Sequence, residues 1–241
     1  MIDLASVRLF AGLEKHEVSA ILAAASMRRY KASETIINAQ RPATHLILLK
    51  KGCVNFCIAS EKGRRILLRR LVPGNAFGIA SFLSEPMGYL GTAMAVHSVE
   101  VLVWEHRNVR QFARAYPRLM ENALRIALHY IAVYAQRHVS LASDTAQERL
   151  AFALTDVASR AGHALSSGME VDIKNEDLAA LADVSLFTTS RLLKRWARAG
   201  AVEKSRGRVV IQCPERLLAE EAASPEDGHW SRARAKIARA G

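Results

Sequence analysis

Apolar and polar residues change their spacing several times along this chain, and each change marks a boundary. The opening stretch LFAGLEKHEVSAILAAASMRRY, from Leu9, carries apolar residues at helical spacing through Val18, Ile21 and Leu22. Seven short apolar runs follow: ETIINAQ, HLILLKKG, CVNFCIA, RRILLRRLV, NAFGIASF, LGTAMAV and EVLVWEH. Gly52, EKG at 61–63 and PGN at 73–75 supply turn signals between them. Short runs so regularly spaced, with no helical pattern between them, predict an antiparallel β barrel or roll.

From Asn108 the helical period returns. Pro117 suits the first turn of a new helix, which continues to about His138, or ~33 Å at ~1.5 Å per residue. Two apolar stripes run along it. One is Leu119, Ala123, Ile126, Tyr130 and Val133; the other is Met120, Leu124, Ala127 and Ile131. One stripe can pack on the barrel while the other meets a partner, and the first is assigned here to a second copy of the chain. A helix buried on all sides would give the same doubled pattern.

LASDTAQERLAFALTDVASRAG predicts a further amphipathic helix, starting near Asp144. NEDLAALA reads as a short helix, DVS as a tight turn, and LFTTSRLLKRWARAG as a second helix that Gly200 stops. AVEKSRGRVVIQ then alternates as a two-stranded ribbon around Arg206-Gly207. Helix, three-residue turn, helix and ribbon make a winged helix-turn-helix, and the chain as a whole is α+β.

The second helix of that unit has an unusual polar side. Phe187, Ser190, Arg191, Lys194, Arg195 and Arg198 share it, opposite a core stripe of Thr189, Leu192, Leu193 and Trp196. A solvated cationic face is the simple reading, but seven Lys or Arg and one acid, Glu203, lie between residues 184 and 212. In a helix-turn-helix the second helix enters the major groove of DNA, with its N-terminal residues at the base edges. Phe187, Ser190 and Arg191 are therefore candidate base contacts, Arg191 through its fork to guanine O6 and N7. Ser185 is the expected N-cap. With Thr188, Lys194, Arg195 and Arg198, and Lys204, Arg206 and Arg208 of the ribbon, it forms the candidate phosphate set.

Charge agrees with this. The net charge of +11 over 241 residues suits a polyanionic partner. Past Pro214 the chain becomes Ala- and charge-rich, and SRARAKIARAG ends it with four cations and no acid, either a mobile basic tail or a solvated helix. No long uninterrupted apolar run or leader pattern is evident, so a cytoplasmic protein with no membrane partner is expected. Cys53, Cys57 and Cys213 make neither a disulfide framework nor a cluster site; on one strand Cys53 and Cys57 would stand ~13 Å apart. No metal site is expected.

LFAGL, the spaced glycines Gly52, Gly63, Gly74 and Gly78, GTA at 91–93, VLVW and SRLLKRW occur in an ordered series from Leu9 to about Leu217. This series resembles the CRP/FNR superfamily of bacterial transcription regulators. The resemblance implies a β-roll sensor with an N-terminal helix over 1–106 and helices over 107–140 that include a long dimerisation helix. It also implies a winged helix-turn-helix over 141–217, with 218–241 left as the basic tail. It further implies a homodimer on a roughly palindromic site in double-stranded DNA, and contact with RNA polymerase.

The chain departs from that pattern where effectors bind. Members that hold cyclic AMP place a Glu on the ribose and an Arg-Ser pair on the phosphate; the matching positions here are Ile79 and Gly91-Thr92. Without the guanidinium a buried phosphate loses a charge-assisted bidentate contact, so cyclic AMP is not expected. An iron–sulfur cluster is not expected either, because the first fifty residues contain no Cys. Haem would need an axial ligand from His45, His97, His106, His129 or His138, none of which sits in a haem signature. An unidentified small effector, lined by Phe77, Gly78, Ile79, Ala80, Leu90, Gly91 and Thr92, stays open beside redox control or no effector at all. Phe187 also replaces a family Glu that accepts from cytosine N4, and it suits a thymine methyl instead.

Three other functions fit the sequence less well. Catalysis lacks a phosphate loop, a metal-spaced His pair or a nucleophile elbow. A protein- or membrane-binding sensor module would use the basic tail as its anchor. A non-specific architectural DNA binder would have no use for base-facing Phe187 and Arg191.

Overall fold

The structure is a computed structural model and describes residues 7–61, 65–205 and 207–218. The chain divides into two compact units, 1–136 and 137–241.

The first unit begins with a single 3-10 turn at Arg8–Phe10 and helix α1 (Lys15–Ala23). Eight strands follow: β1 (Ser26–Tyr30), β2 (Thr35–Ile37), β3 (His45–Lys51), β4 (Val54–Ala59), β5 (Arg65–Leu71), β6 (Ala76–Phe77), β7 (Thr92–Ala95) and β8 (Val99–Glu105). They form two four-stranded antiparallel sheets, in the orders β1-β8-β3-β6 and β2-β7-β4-β5. The expected helix therefore stops before MRRY, which is strand β1 paired to β8. Ser26 to Arg29 of this strand are all exposed, so no apolar alternation marks it.

Strand β3 explains why HLILLKK reads as a continuous apolar run: it is covered on both faces. Ile47 and Leu49 face Val54, Ala93, Val99, Val101 and Val103 inside the roll. Leu46 and Leu48 face Phe10, Ile21, Trp104 and the helices. Two tethers close that second layer, since Trp104 Nε1 donates to Ile21 O at 2.6 Å and Asn122 Nδ2 donates to Leu9 O and Ala11 O at 3.0 and 2.8 Å.

Helix α2 (His106–Ala115) packs Val109 and Ala113 inward, and α3 (Pro117–Ser143) follows, five residues longer than expected. Pro117 is its first residue, as its missing N–H allows. The division between the two units falls inside α3.

The second unit holds α4 (Ala146–Ala161), β9 (His163–Leu165), β10 (Gly168–Asp172), α5 (Asn175–Ala182), α6 (Leu186–Arg198), β11 (Val202–Ser205) and β12 (Arg208–Ile211). Thr145 caps α4 reciprocally with Glu148, a capping box. The ribbon is part of a four-stranded sheet, β11-β12-β10-β9, whose last two strands were not anticipated. Leu150, Leu154, Leu178, Leu193, Trp196 and Val209 form one core beneath α4, α5, α6 and this sheet.

Candidate nucleic-acid interface

Three features fix the orientation of α6. Asp183 ends α5 in the left-handed region at φ 56°, a conformation Asp tolerates, and turns the chain in one step. Ser185 then caps α6, its Oγ accepting from Thr188 N at 3.0 Å. Thr189, Leu192, Leu193 and Trp196 are buried, as their spacing predicts. The opposite side must then face solvent.

Phe187 is 76 % exposed, an expensive place for a large apolar ring without a partner. Arg191, Lys194 and Arg198 are exposed along the same side. Leu186, 47 % exposed beside Phe187, was not singled out by its spacing. The wing adds exposed Lys204 and Arg208, the latter 3.8 Å from Glu170 Oε1. Ser205 pairs with Arg208 across the ribbon turn, and Arg206 lies outside the described residues, as does the tail beyond residue 218.

Four expected contacts are already engaged within the domain. Ser190 is half-buried, and its Oγ accepts from Asn175 Nδ2 at 3.3 Å. The Ser185 and Thr188 hydroxyls share a hydrogen bond of 2.8 Å. Arg195 departs furthest from expectation: it is half-buried and donates to Gln147 Oε1 of α4, whose amide donates to Leu217 O at 2.9 Å. Helical spacing put Arg195 on the cationic side, but it lies at the border of that side, within reach of α4. Gln147 and Asn175 are the supporting residues that pattern could not identify, because their role depends on a neighbouring helix.

The stripe assigned to a partner copy is corrected by the structure. Leu119, Ala123 and Ile126 are buried in the protomer's own core, and Tyr130 packs there with its hydroxyl donating to Ala76 O at 2.9 Å. The Arg69 guanidinium sits 4.6 Å from the Tyr130 ring centroid. Val133 is half-buried. The second stripe is the open one: Met120, Leu124 and Ile131 are 37, 57 and 62 % exposed, and Leu128 beside them 55 %.

The effector candidates do not converge on one space. Phe77 lies in the roll core, with Ala80 packed against it, while Ile79 packs on the helical layer. Leu90 is 77 % exposed and lines nothing inside the roll. Gly78 adopts φ 79°, and a Cβ there would lie 2.4 Å from His45 O and 3.4 Å from the Tyr89 ring. A Cβ on Gly91 would meet Cys57 O at 2.7 Å and the Phe56 ring at 2.8 Å. Thr92 Oγ1 accepts from Ala39 N at 3.1 Å.

Tyr89 and His45 seal this end of the roll. Tyr89 Oη accepts from His45 N at 3.1 Å and donates to His45 O at 3.3 Å. Burial pushes the Tyr89 phenol up, and burial followed by the Arg28 charge holds the His45 imidazole below its ordinary 6.5. Among the described residues no group of three His, Cys, Asp or Glu could hold a metal ion, and no helix is long and apolar enough to cross a membrane. Cys53 and Cys57 are unbridged, and Arg70 Nε donates to Cys53 Sγ at 3.1 Å.

Comparison with known proteins matches residues 27–116 to a model of the cyclic nucleotide-binding domain and residues 148–220 to a model of the Crp-like helix-turn-helix domain. The cyclic AMP receptor protein of Thermus thermophilus is 28 % identical over 215 residues, covering 89 % of this chain and 96 % of its own. The cAMP-activated global transcriptional regulator CRP of Pasteurella multocida is 23 % identical over 180 residues, 70 % of this chain and 81 % of its own. Among solved structures, FixK2 of Bradyrhizobium japonicum shares the fold with a TM-score of 0.69 at 21 % identity, over 80 % of this chain and 95 % of its own. The c-di-GMP-responsive regulator CLP of Xanthomonas campestris does so with a TM-score of 0.71 at 17 % identity, over 82 % and 99 %.

Proposed function

The chain belongs to the CRP/FNR superfamily of transcription regulators, and from that premise we propose that it binds a roughly palindromic operator in double-stranded DNA as a homodimer. The observation that carries this reading is the exposed side of α6. Phe187, Arg191, Lys194 and Arg198 project from a helix whose other side is buried in the domain, and no acid shares their side. Arg191 reads a guanine, Phe187 packs on a thymine methyl, and Lys194, Arg198, Lys204 and Arg208 hold phosphates. Ser190 positions rather than reads, since its hydroxyl is engaged by Asn175.

The dimer forms through the open stripe of α3, Met120, Leu124, Leu128 and Ile131, whose four-, four- and three-residue steps suit helix-to-helix packing against a second copy. Polymerase contact and a cytoplasmic location are part of this reading by resemblance to the family, and no catalytic role is assigned. Control runs through the roll, by an unidentified effector, by redox state or by neither. Cyclic AMP is named in the relatives, but Ile79, Gly91 and Thr92 offer it neither a carboxylate for the ribose nor a guanidinium for the phosphate.

The test is selection from a random duplex pool by effector-free protein at fixed moderate salt. The expected product is a two-fold symmetric site with half-sites about one DNA turn apart. Salt-sensitive binding that enriches no sequence would refute the specific reading. An invariant cytosine at the Phe187 step would refute the thymine contact.

A further inference from the structure

Apart from the DNA-binding face, a second concentration of positive charge lies on the roll unit. Arg107, Arg110 and Arg114 line a cleft of about 710 Å3 along α2, together with His106, Gln111 and Ser84. Their spacing in the helix places the first and last guanidinium-bearing residues about 10 Å apart along the axis, at ~1.5 Å per residue.

Two of these side chains are anchored. Arg110 donates to Phe82 O at 2.7 Å, and the His106 ring Nδ1 lies 2.8 Å from Ser81 O, which only a protonated Nδ1 can satisfy. Arg107 and Arg114 are exposed. Among the described residues no carboxylate forms an ion pair with any of the three arginines, whereas Arg29, Arg118, Arg125 and Arg160 each have one. Glu85 and Glu105, the acids adjacent to the cleft in sequence, are exposed and join none of them. The first turn of α2 holds His106 and Arg107, with Glu105 as the N-cap residue. Among the described residues, three arginines thus line one surface groove with no carboxylate paired to any of them.

We propose that this cleft binds a small anion carrying two or more phosphate groups. Arginines at positions 107, 110 and 114 recur over about 10 Å of helix axis, a spread that suits a chain of phosphates rather than a single one. The cleft's volume of about 710 Å3 lies within the ~300–1,000 Å3 of small-ligand sites, and it is open to solvent over much of its surface. Anchored Arg110 and His106 lower the ordering cost of binding. A bare polyphosphate and a nucleoside polyphosphate share this chemistry.

The experiment is calorimetric titration of the full chain at constant ionic strength with inorganic tripolyphosphate, with orthophosphate and adenosine triphosphate as separate arms. Three proteins are compared: the native sequence, R107A/R114A, and R191A/K194A, which removes cations from α6 instead. The variants replace exposed side chains, and coincident thermal melts verify their folding. Tripolyphosphate is expected to bind more tightly than orthophosphate. R107A/R114A is expected to weaken it about a hundredfold, at about tenfold per guanidinium, and R191A/K194A to leave it nearly unchanged. Equal affinity for the nucleotide and tripolyphosphate assigns recognition to the phosphate chain; tighter nucleotide binding adds a nucleoside contact. Unchanged binding in R107A/R114A, or loss only in R191A/K194A, overturns the proposal. So does decaglutamate binding through Arg107 and Arg114 where tripolyphosphate fails, because the cleft is then a docking surface for an acidic protein segment.

Discussion

At the scale of single residues, α6 separates two kinds of cation that share one helical side. Arg191 and Lys194 are exposed, while Arg195 is tied to Gln147. Substitutions should therefore divide by effect. Arg191→Ala is expected to cost about 1–3 kcal/mol of specific binding and to relax preference at one guanine, with thermal stability unchanged. Lys194→Ala should lower affinity for all sequences alike and reduce the salt slope by about one. Arg195→Ala should instead lower stability by about 1–3 kcal/mol, because it removes the partner of a buried amide oxygen. Competition binding against single-base operator variants, paired with thermal melts, checks all three; a stability loss confined to Lys194→Ala would invert the assignment. His45 gives a pH signature. Its folded-state pKa is lowered, so the unfolded chain binds more protons and stability falls as pH drops from about 6.5 through the folded value. His45→Gln should flatten that acid limb of the unfolding midpoint, measured against pH. The exposed side of α6 was legible in the sequence because Thr189, Leu192, Leu193 and Trp196 fix which way the helix faces. The ties of Ser190 and Arg195 were not, because Asn175 and Gln147 come from other helices.

At the scale of elements, α3 shows where pattern runs out. Its two apolar stripes have equal claims by spacing, and only the position of Phe10, Trp104 and the roll decides which one is covered. The covered stripe is the one assigned to a partner. For the open stripe, Leu124→Glu with Ile131→Glu is expected to convert dimer to monomer in sedimentation and to lower operator affinity, with little change in the roll's own stability. A persisting dimer would move the interface elsewhere. Thr145→Ala should destabilise the second unit by about 1 kcal/mol, by opening the capping box at α4. The strands of the roll were legible wherever a buried face made them apolar. Strand β1 has its outer positions in solvent, and of the β9–β10 hairpin only Val171 is fully buried, so neither carried the signal. Backbone pairing alone defines them.

At the scale of the whole molecule, charge sets the terms of binding. Four exposed phosphate candidates on each of two protomers, Lys194, Arg198, Lys204 and Arg208, predict that log affinity falls with log salt at a slope near −7, from ~0.9 per phosphate. Added cyclic AMP is expected to leave that affinity unchanged; a tenfold gain at saturating nucleotide would refute the reading of Ile79, Gly91 and Thr92. The order of units was legible from the changes of period and the glycine series, since each follows from what a roll or a winged helix must bury. The filling of the roll was not, because residues such as Tyr89 are treated as ordinary core by a pattern of apolar positions. The division of labour along α6 has an evolutionary consequence. The domain's stability rests on one set of side chains, and its proposed contact with DNA on another that the fold does not need. Duplicated copies of such a gene can exchange Phe187 or Arg191 for other residues and acquire new operators without passing through an unfolded ancestor. Partner choice can drift while the scaffold stays still.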